Sequence, residues 1–347
     1  MSDGAVIIRI PKSPQLRSER GAVIIFFAFF MILMLGFAAL SADLAKLMVT
    51  RTQLQNAADA AALAGASAVD FELGAIDPDT ALARAQDTAV RNRAFRSEAT
   101  PVELRAQDVE FPTPLRVRVT ARRTVDAGGS MITHLAQVLG IPSLEMTADA
   151  TAEADTTGRV CDGLVPMGPV EPPQSGWFDP DCSKTYELKV GAGAGEQGNY
   201  ELLEFPDCNQ GPCAGMEGGA AIRCLAEHGY GCCLDQDQEF TLTEPGNKVG
   251  PFRQGMGARF DADTDQREGI CYSEYRGNGQ RVLPVPIIES YDVNGKKFVR
   301  IIKFSAFFMK ERPRGNGTLT GQFIHDIIPG EGGGRGGGTL FVLRLVE

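Results

Sequence analysis

The first pattern along the chain is a block rather than an alternation: from Gly21 to Ala42, "GAVIIFFAFFMILMLGFAALSA" runs for twenty-two residues without a charge. At roughly 1.5 Å per helical residue it spans about 33 Å, enough to cross a bilayer core of about 30 Å. Three readings of this block stand together: a cleaved secretory signal, a trimmed pilin-type leader and a permanent transmembrane anchor. From Asp43 the chain meets no glycine or proline until Gly65, and its alanines, leucines and glutamines favour helix, so the apolar helix is expected to continue. Ala57, Ala58, Ala61 and Ala62 form a small-residue face on it, which predicts close core packing in preference to a partner-binding face.

The period then changes. "DPDTALARAQDTAVRNRAF" predicts a second helix, with Asp77 as its cap, Pro78 in its first turn, and Arg84 and Arg91 outermost. "VELRAQDVEF" and "LRVRVTARRTV" alternate, with Leu115, Val117 and Val119 on one face, as half-buried antiparallel strands do. "SMITHLAQVLGI" reads as a short helix from Ser130 that Gly140 and Pro142 end, before a strand in "LEMTADATAEA". Around Thr156 the composition shifts to glycine, proline and cysteine, with β-like runs in "YELKV", "VLPVPIIESYDV", "KKFVRIIKFSAFFM", "GQFIHDII" and "TLFVLRLVE". "GEGGGRGGG", Gly330 to Gly338, is expected to be a flexible loop that joins the last two runs as a long hairpin. A strand follows it, where a phosphate-binding loop needs a helix and a lysine.

The fold class expected is therefore α+β: a transmembrane helix that extends into a periplasmic helix, a small α+β stem, and a glycine-rich, disulfide-containing, mostly β domain. The segments are a cytoplasmic tail over 1–20, the membrane helix over 21–42, the stem over 43–155 and the β-rich domain over 156–347.

Charge and cysteine usage narrow the class. A net charge of −10 over 347 residues leaves little drive towards phosphate backbones, so nucleic acid is not an expected partner. All eight cysteines lie after residue 160, which suggests disulfides in an oxidising compartment, with 105 pairings open. Zinc is the alternative at Cys224, His228 and Cys232, although the paired two-residue knuckles are missing. Arg9, Lys12, Arg17 and Arg20 outnumber Asp3 and Glu19 before the apolar block, so the N-terminus is expected in the cytoplasm and everything from Asp43 outside it, in a bacterium the periplasm or cell surface.

Candidate chemistry is sparse. "TEPGNKVGPFRQG", Thr243 to Gly255, is expected to form consecutive turns. Asp261, Asp263 and Asp265 alternate as a calcium loop begins, but Gln266 and Tyr272 occupy the positions where an EF-hand needs glycine and glutamate. An irregular calcium loop and a solvated acidic turn both remain open. His134, His228 and His325 have no evident catalytic partners, and no Gly-x-Ser-x-Gly, His-Glu-x-x-His or Walker sequence occurs. The chain is not expected to be an enzyme; no catalytic, cofactor-binding or metal residue is assigned, and no cofactor is expected.

The stretch from Arg20 to Ala66 has an Arg-Gly start, an apolar helix, an Ala-x-Asp near its end and then "RTQLQNAADAAALAGA". It resembles the N-terminal domain of the TadE/TadG-like proteins of the tight-adherence (Flp) pilus system. Type IV pilin families carry glutamate five residues past the leader cut; Phe26 stands there, which places the resemblance nearer the unprocessed TadG-like members. The "PGNxxGP" pattern and "FSAFF" also resemble the C-terminal part of some Tad-domain proteins. The Asp-x-Ser-x-Ser metal site of larger TadG-like proteins does not occur in this sequence. The resemblance implies a membrane-anchored structural or interaction component of a bacterial Tad/Flp pilus assembly system. It would be a single-pass inner-membrane protein, with the lipid bilayer and other Tad/Flp assembly proteins as partners. The alternative is an exported periplasmic hydrolase or ligand-binding protein with a cleaved leader.

Overall fold

The computed structural model describes residues 20–93, 101–134, 136–137, 140–170, 178–188, 202–237, 239–243, 248–289, 298–315, 317–334 and 338–346. The tail over 1–19 lies outside them, as do residues 244–247 of the turn-rich stretch and 335–337 of the glycine loop.

Along the chain, α1 (Arg20–Ala66) and α2 (Pro78–Arg91) precede β1 (Val109–Thr113), β2 (Arg116–Arg123), β3 (Met131–Ile132), β4 (Ser143–Leu144) and β5 (Met146–Cys161). There follow β6 (Tyr186–Leu188), β7 (Leu203–Glu204), α3 (Gly218–His228), β8 (Cys233–Asp235), β9 (Glu239–Thr243) and α4 (Val249–Asp261). The last elements are β10 (Val282–Ile288), β11 (Phe298–Met309), β12 (Leu319–Ile324), β13 (Asp326–Ile327), β14 (Gly330–Gly332) and β15 (Leu340–Val346). The architecture is α+β.

The chain divides into two compact units. The smaller comprises residues 1–52 and 123–146 and holds the first part of α1 together with the β3–β4 hairpin. The expected helix from Ser130 does not form there: Met131 and Ile132 pair antiparallel with Leu144 and Ser143. Gly140 and Pro142, read as helix stops, instead lie in the connection between the two short strands.

The larger unit, residues 53–122 and 147–347, contains two sheets. The first runs β1-β2-β5-β15-β13, with β14 and β8 also paired to β5. Strand β5 passes without a break through residues 155 and 156, where the stem and the β-rich domain were expected to meet, and its residues 151–156 pair with β15. Ala148, Ala150, Ala152 and Ala154 alternate as its buried positions. The helical side of this unit is equally small: Ala57, Ala58, Ala61, Ala62 and Ala66 of α1 and Ala81, Ala85 and Ala89 of α2 are all fully buried. A Cβ on Gly65 would stand 3.1 Å from Val117 Cγ1 and 3.5 Å from Ala81 O, so small side chains set how closely α1 approaches α2 and β2. The alanine face packs into the core, as its spacing predicted. Asp77 accepts from Thr80 N at 2.9 Å and caps α2.

The second sheet runs β6-β12-β11-β9-β7, with β10 paired to β11. Strand β11 is buried on both faces over "FSAFFM": Phe307 and Met309 face one core with α3 and α4, and Phe304, Ala306 and Phe308 face the other. Helices α3 and α4 pack beside the strands of the second half, and one local expectation is corrected: Val249 to Asp261 is helical where successive turns were read. Their contact is close at Gly255, where an added Cβ would sit 2.7 Å from Ala226 Cβ and collide with the Arg223 carbonyl. Gly255→Ala is expected to destabilise the fold by about 1–3 kcal/mol through this overpacking. Urea unfolding checks it; an unchanged midpoint would contradict the crossing.

The final hairpin is also corrected. β13 pairs parallel with β15, and β14, drawn from the glycine stretch, pairs antiparallel with β5. The chain between β13 and β15 therefore spends part of its glycine run in the sheet.

Candidate functional site

Among the described residues, α1 is the helix long and apolar enough to cross a bilayer. Its side chains from Val23 to Leu35 are exposed all round; Phe26, for example, keeps 76% of its surface. A helix apolar on every face suits lipid better than water. The uncharged run ends at Asp43, and that carboxylate is buried. It accepts from the backbone N–H of His134 at 3.0 and 3.2 Å and of Ala136 at 3.2 Å, so it holds a segment 91 residues downstream. One turn further along, Lys46 Nζ donates to the Ile132 carbonyl at 3.3 Å. Beyond it, Thr50 and Met131 touch. The same helix then continues into the buried alanine face.

Residues 21–68 match the family "Putative Flp pilus-assembly TadE/G-like". No curated protein and no solved structure matches the chain. The match covers the apolar run, Asp43 and the alanine face, about one seventh of the sequence. The rest of the chain carries its own features beside the TadE/G-like segment.

The cysteines resolve into four disulfides: Cys161–Cys233, Cys182–Cys271, Cys208–Cys232 and Cys213–Cys224. Cys224 and Cys232 are thus each bonded to another cysteine, and the thiolates a zinc ion would require at that spacing are consumed. Among the described residues, no group of His, Cys, Asp and Glu is arranged to hold a metal ion.

The three alternating aspartates are occupied by protein groups. Asp261 takes two hydrogen bonds from Arg312, at 2.9 and 2.8 Å. Asp263 accepts from Asp265 N at 2.8 Å, Arg281 N at 3.1 Å and the Tyr275 hydroxyl. Asp265 is gripped by Arg267 Nε and Nη2 at 2.8 and 2.7 Å and by Arg276 N at 2.9 Å; the Arg267 bonds, then the Arg276 N–H, hold its carboxyl far below the usual carboxylate range. The turn they shape encloses Arg281, which is fully buried. Its guanidinium donates to the carbonyls of Met309, Asp265, Arg267 and Lys310 at 2.9, 2.6, 3.0 and 2.9 Å, and lies 4.7 Å from the ring centres of both Phe260 and Phe308. Carbonyl oxygens and π faces thereby replace the water that a buried cation loses. The arrangement is a structural lock built from a sequence that began like a calcium loop.

Beside it lies an open cleft of about 780 Å³ lined by Phe71, Tyr272, Tyr275, Val282, Asp326 and Ile328. Tyr272 meets Phe71 edge-on at 5.3 Å and stacks near Tyr275 at 6.0 Å. Burial, with Asp326 adding to it, pushes the Tyr272 hydroxyl up to about 12, and burial raises Asp326 itself. Ser273 and Arg276 also line the cleft, so aromatic and aliphatic walls stand beside polar and charged groups. Arg281, Tyr272, Tyr275 and Asp326 leave no local spacing in the sequence, because their partners come from distant parts of the chain.

The histidines fall apart. His134 is exposed on the segment held by Asp43, and His228 ends α3 with Glu227 Oε1 3.7 Å away. His325 faces the Phe71 carbonyl through Nδ1 at 3.0 Å and stacks on Phe341. Burial lowers its proton affinity, against a smaller opposing pull from that carbonyl and Asp70. The unfolded chain takes up this proton near pH 6.5 and the folded one only lower, so His325's contribution is present above about pH 6.5 and declines as pH falls through that value. His325→Gln is expected to flatten the decline of stability as pH falls below about 6.5. Midpoints of urea unfolding across that window check it; an unaltered slope would contradict the burial argument.

Proposed function

We propose that the protein is a membrane-anchored structural component of a Flp pilus assembly system, with its N-terminus in the cytoplasm and its disulfide-linked part in the periplasm. The observation that carries this reading is the continuity of α1: one unbroken helix, Arg20–Ala66, joins a bilayer-length apolar stretch to a buried alanine face, and the TadE/G-like match covers nearly the same residues. A leader cut near Ala42 would divide that helix immediately before Asp43, the residue that holds the 134–136 segment. Four disulfides suit an oxidising compartment, and the basic residues before the helix favour a cytoplasmic tail. The role is placement and interaction, not catalysis: Asp43, Asp261, Asp263, Asp265 and Arg281 are engaged in holding the fold. Its partners are the bilayer and other pilus assembly proteins.

Alkaline phosphatase fused after Glu347 is expected to be active, and fused before Met1 inactive, since that reporter folds only where its disulfides form. Deletion of the protein is expected to abolish Flp pili on the cell surface. Normal piliation in the deletion strain would refute the assembly role, and the reverse reporter pattern would refute the orientation.

A further inference from the structure

The segment held by Asp43 follows α1 in one direction. Met131 lies at Thr50, the Ile132 carbonyl at Lys46 Nζ, and the His134 and Ala136 amides at Asp43. These three helix positions are four and three residues apart and therefore share a face. From Thr50 to Asp43 the segment descends about 10 Å along the axis. It arrives at the last residue before the uncharged run. There it turns back: Gly140 N donates to Gln137 O, Ile141 N to Ala136 O and Thr133 N to Pro142 O, at 3.1, 2.9 and 3.1 Å, and β4 leads away. The turn therefore sits at the level of α1 where the apolar stretch ends.

Its composition suits that level. Ala127 to Leu144 contains no Asp, Glu, Lys or Arg. Ile132 and Ile141 leave 56% and 46% of their surfaces exposed on either side of the turn. Single exposed isoleucines are ordinary on a protein surface, but these belong to an uncharged segment that a buried carboxylate fixes at the edge of a bilayer-length helix. We infer that the described residues flanking this turn, Ile132 and Ile141, form a second membrane contact in the headgroup region, with both side chains against lipid, and that Asp43 is the residue that positions them. This rests on the reading of α1 as a membrane-spanning helix. The contact would fix the rotation of α1 about its axis, which a lone apolar helix leaves free.

The test uses the full chain in phosphatidylcholine–phosphatidylglycerol vesicles with acyl chains brominated at defined depths. Trp177, the single tryptophan, is replaced by phenylalanine, and one tryptophan is introduced at a time. Ile141→Trp is expected to lose at least a third of its emission to shallow bromines and less to deep ones. Phe30→Trp is expected to be quenched most by deep bromines. Asp43→Ala, and the milder Asp43→Asn, should weaken quenching of the Ile141→Trp probe at least twofold and leave the Phe30→Trp probe unchanged. An unquenched Ile141→Trp probe beside a quenched Phe30→Trp probe would overturn the second contact and leave the anchor standing. Both probes unquenched would overturn both. A blue-shifted, unquenched Ile141→Trp signal that grows with protein-to-lipid ratio would mean that another copy covers the turn, and would also overturn the inference.

Discussion

Arg281→Met is expected to lower the stability of the protein by about 3–5 kcal/mol. The guanidinium is fully buried and supplies hydrogen bonds to four carbonyl oxygens contributed by the Asp265–Arg267 turn and the end of β11. Methionine matches much of the volume but donates nothing, so those buried carbonyls lose their partners and Asp263 and Asp265 lose a neighbouring cation. Arg281→Lys keeps the charge without the planar fork and should fall between the two. Urea unfolding in detergent, followed by near-ultraviolet circular dichroism of the adjacent Tyr272 and Tyr275, reads the effect. A loss under about 1 kcal/mol for the methionine variant would mean that the network contributes no more than an ordinary surface arginine does.

Removing the Cys182–Cys271 bridge by paired serine substitutions is expected to cost more than removing Cys213–Cys224. The bridges close loops of 89 and 11 residues. Loop-closure entropy alone gives about 4.6 kcal/mol for the longer and about 2.8 kcal/mol for the shorter. Two other bridges lie within the longer loop and already restrict the unfolded chain, which brings its expected cost to about 3–4 kcal/mol. The same urea measurement compares the pairs under non-reducing conditions. An equal cost for the two, or a larger one for the short loop, would contradict the argument from unfolded-state entropy.

What could be read from sequence was whatever depended on near neighbours. The apolar run, the alanine face, the Asp77 cap with Pro78 and the alternation in β2 are all local patterns, and each lies in the fold where its period put it. Long-range pairing was not readable. "SMITHLAQVLGI" had helical composition, but Met131 and Ile132 pair with Leu144 and Ser143, and Asp43, 91 residues before His134, accepts from the amides of His134 and Ala136. The glycine-rich stretch looked like a free loop, yet Gly330–Gly332 joins β5, since the absence of side chains suits close approach as well as flexibility. Helix α4 was hidden by its Gly and Pro content, which tertiary packing of Phe252, Met256 and Phe260 overrides. The aspartates of the 261–265 stretch illustrate the same limit for chemistry: alternate carboxylates suggested a cation, and the cations they meet are arginine side chains from residues 267 and 312.

The proposed role requires that α1 remain whole and in the membrane. Intact mass and N-terminal sequencing of the protein, taken separately from carbonate-washed membranes and from the soluble fraction, test it most directly. A chain beginning at or near Met1, confined to the membranes, is expected. A soluble chain beginning near Ala42 would contradict the anchor and the proposed role built on it.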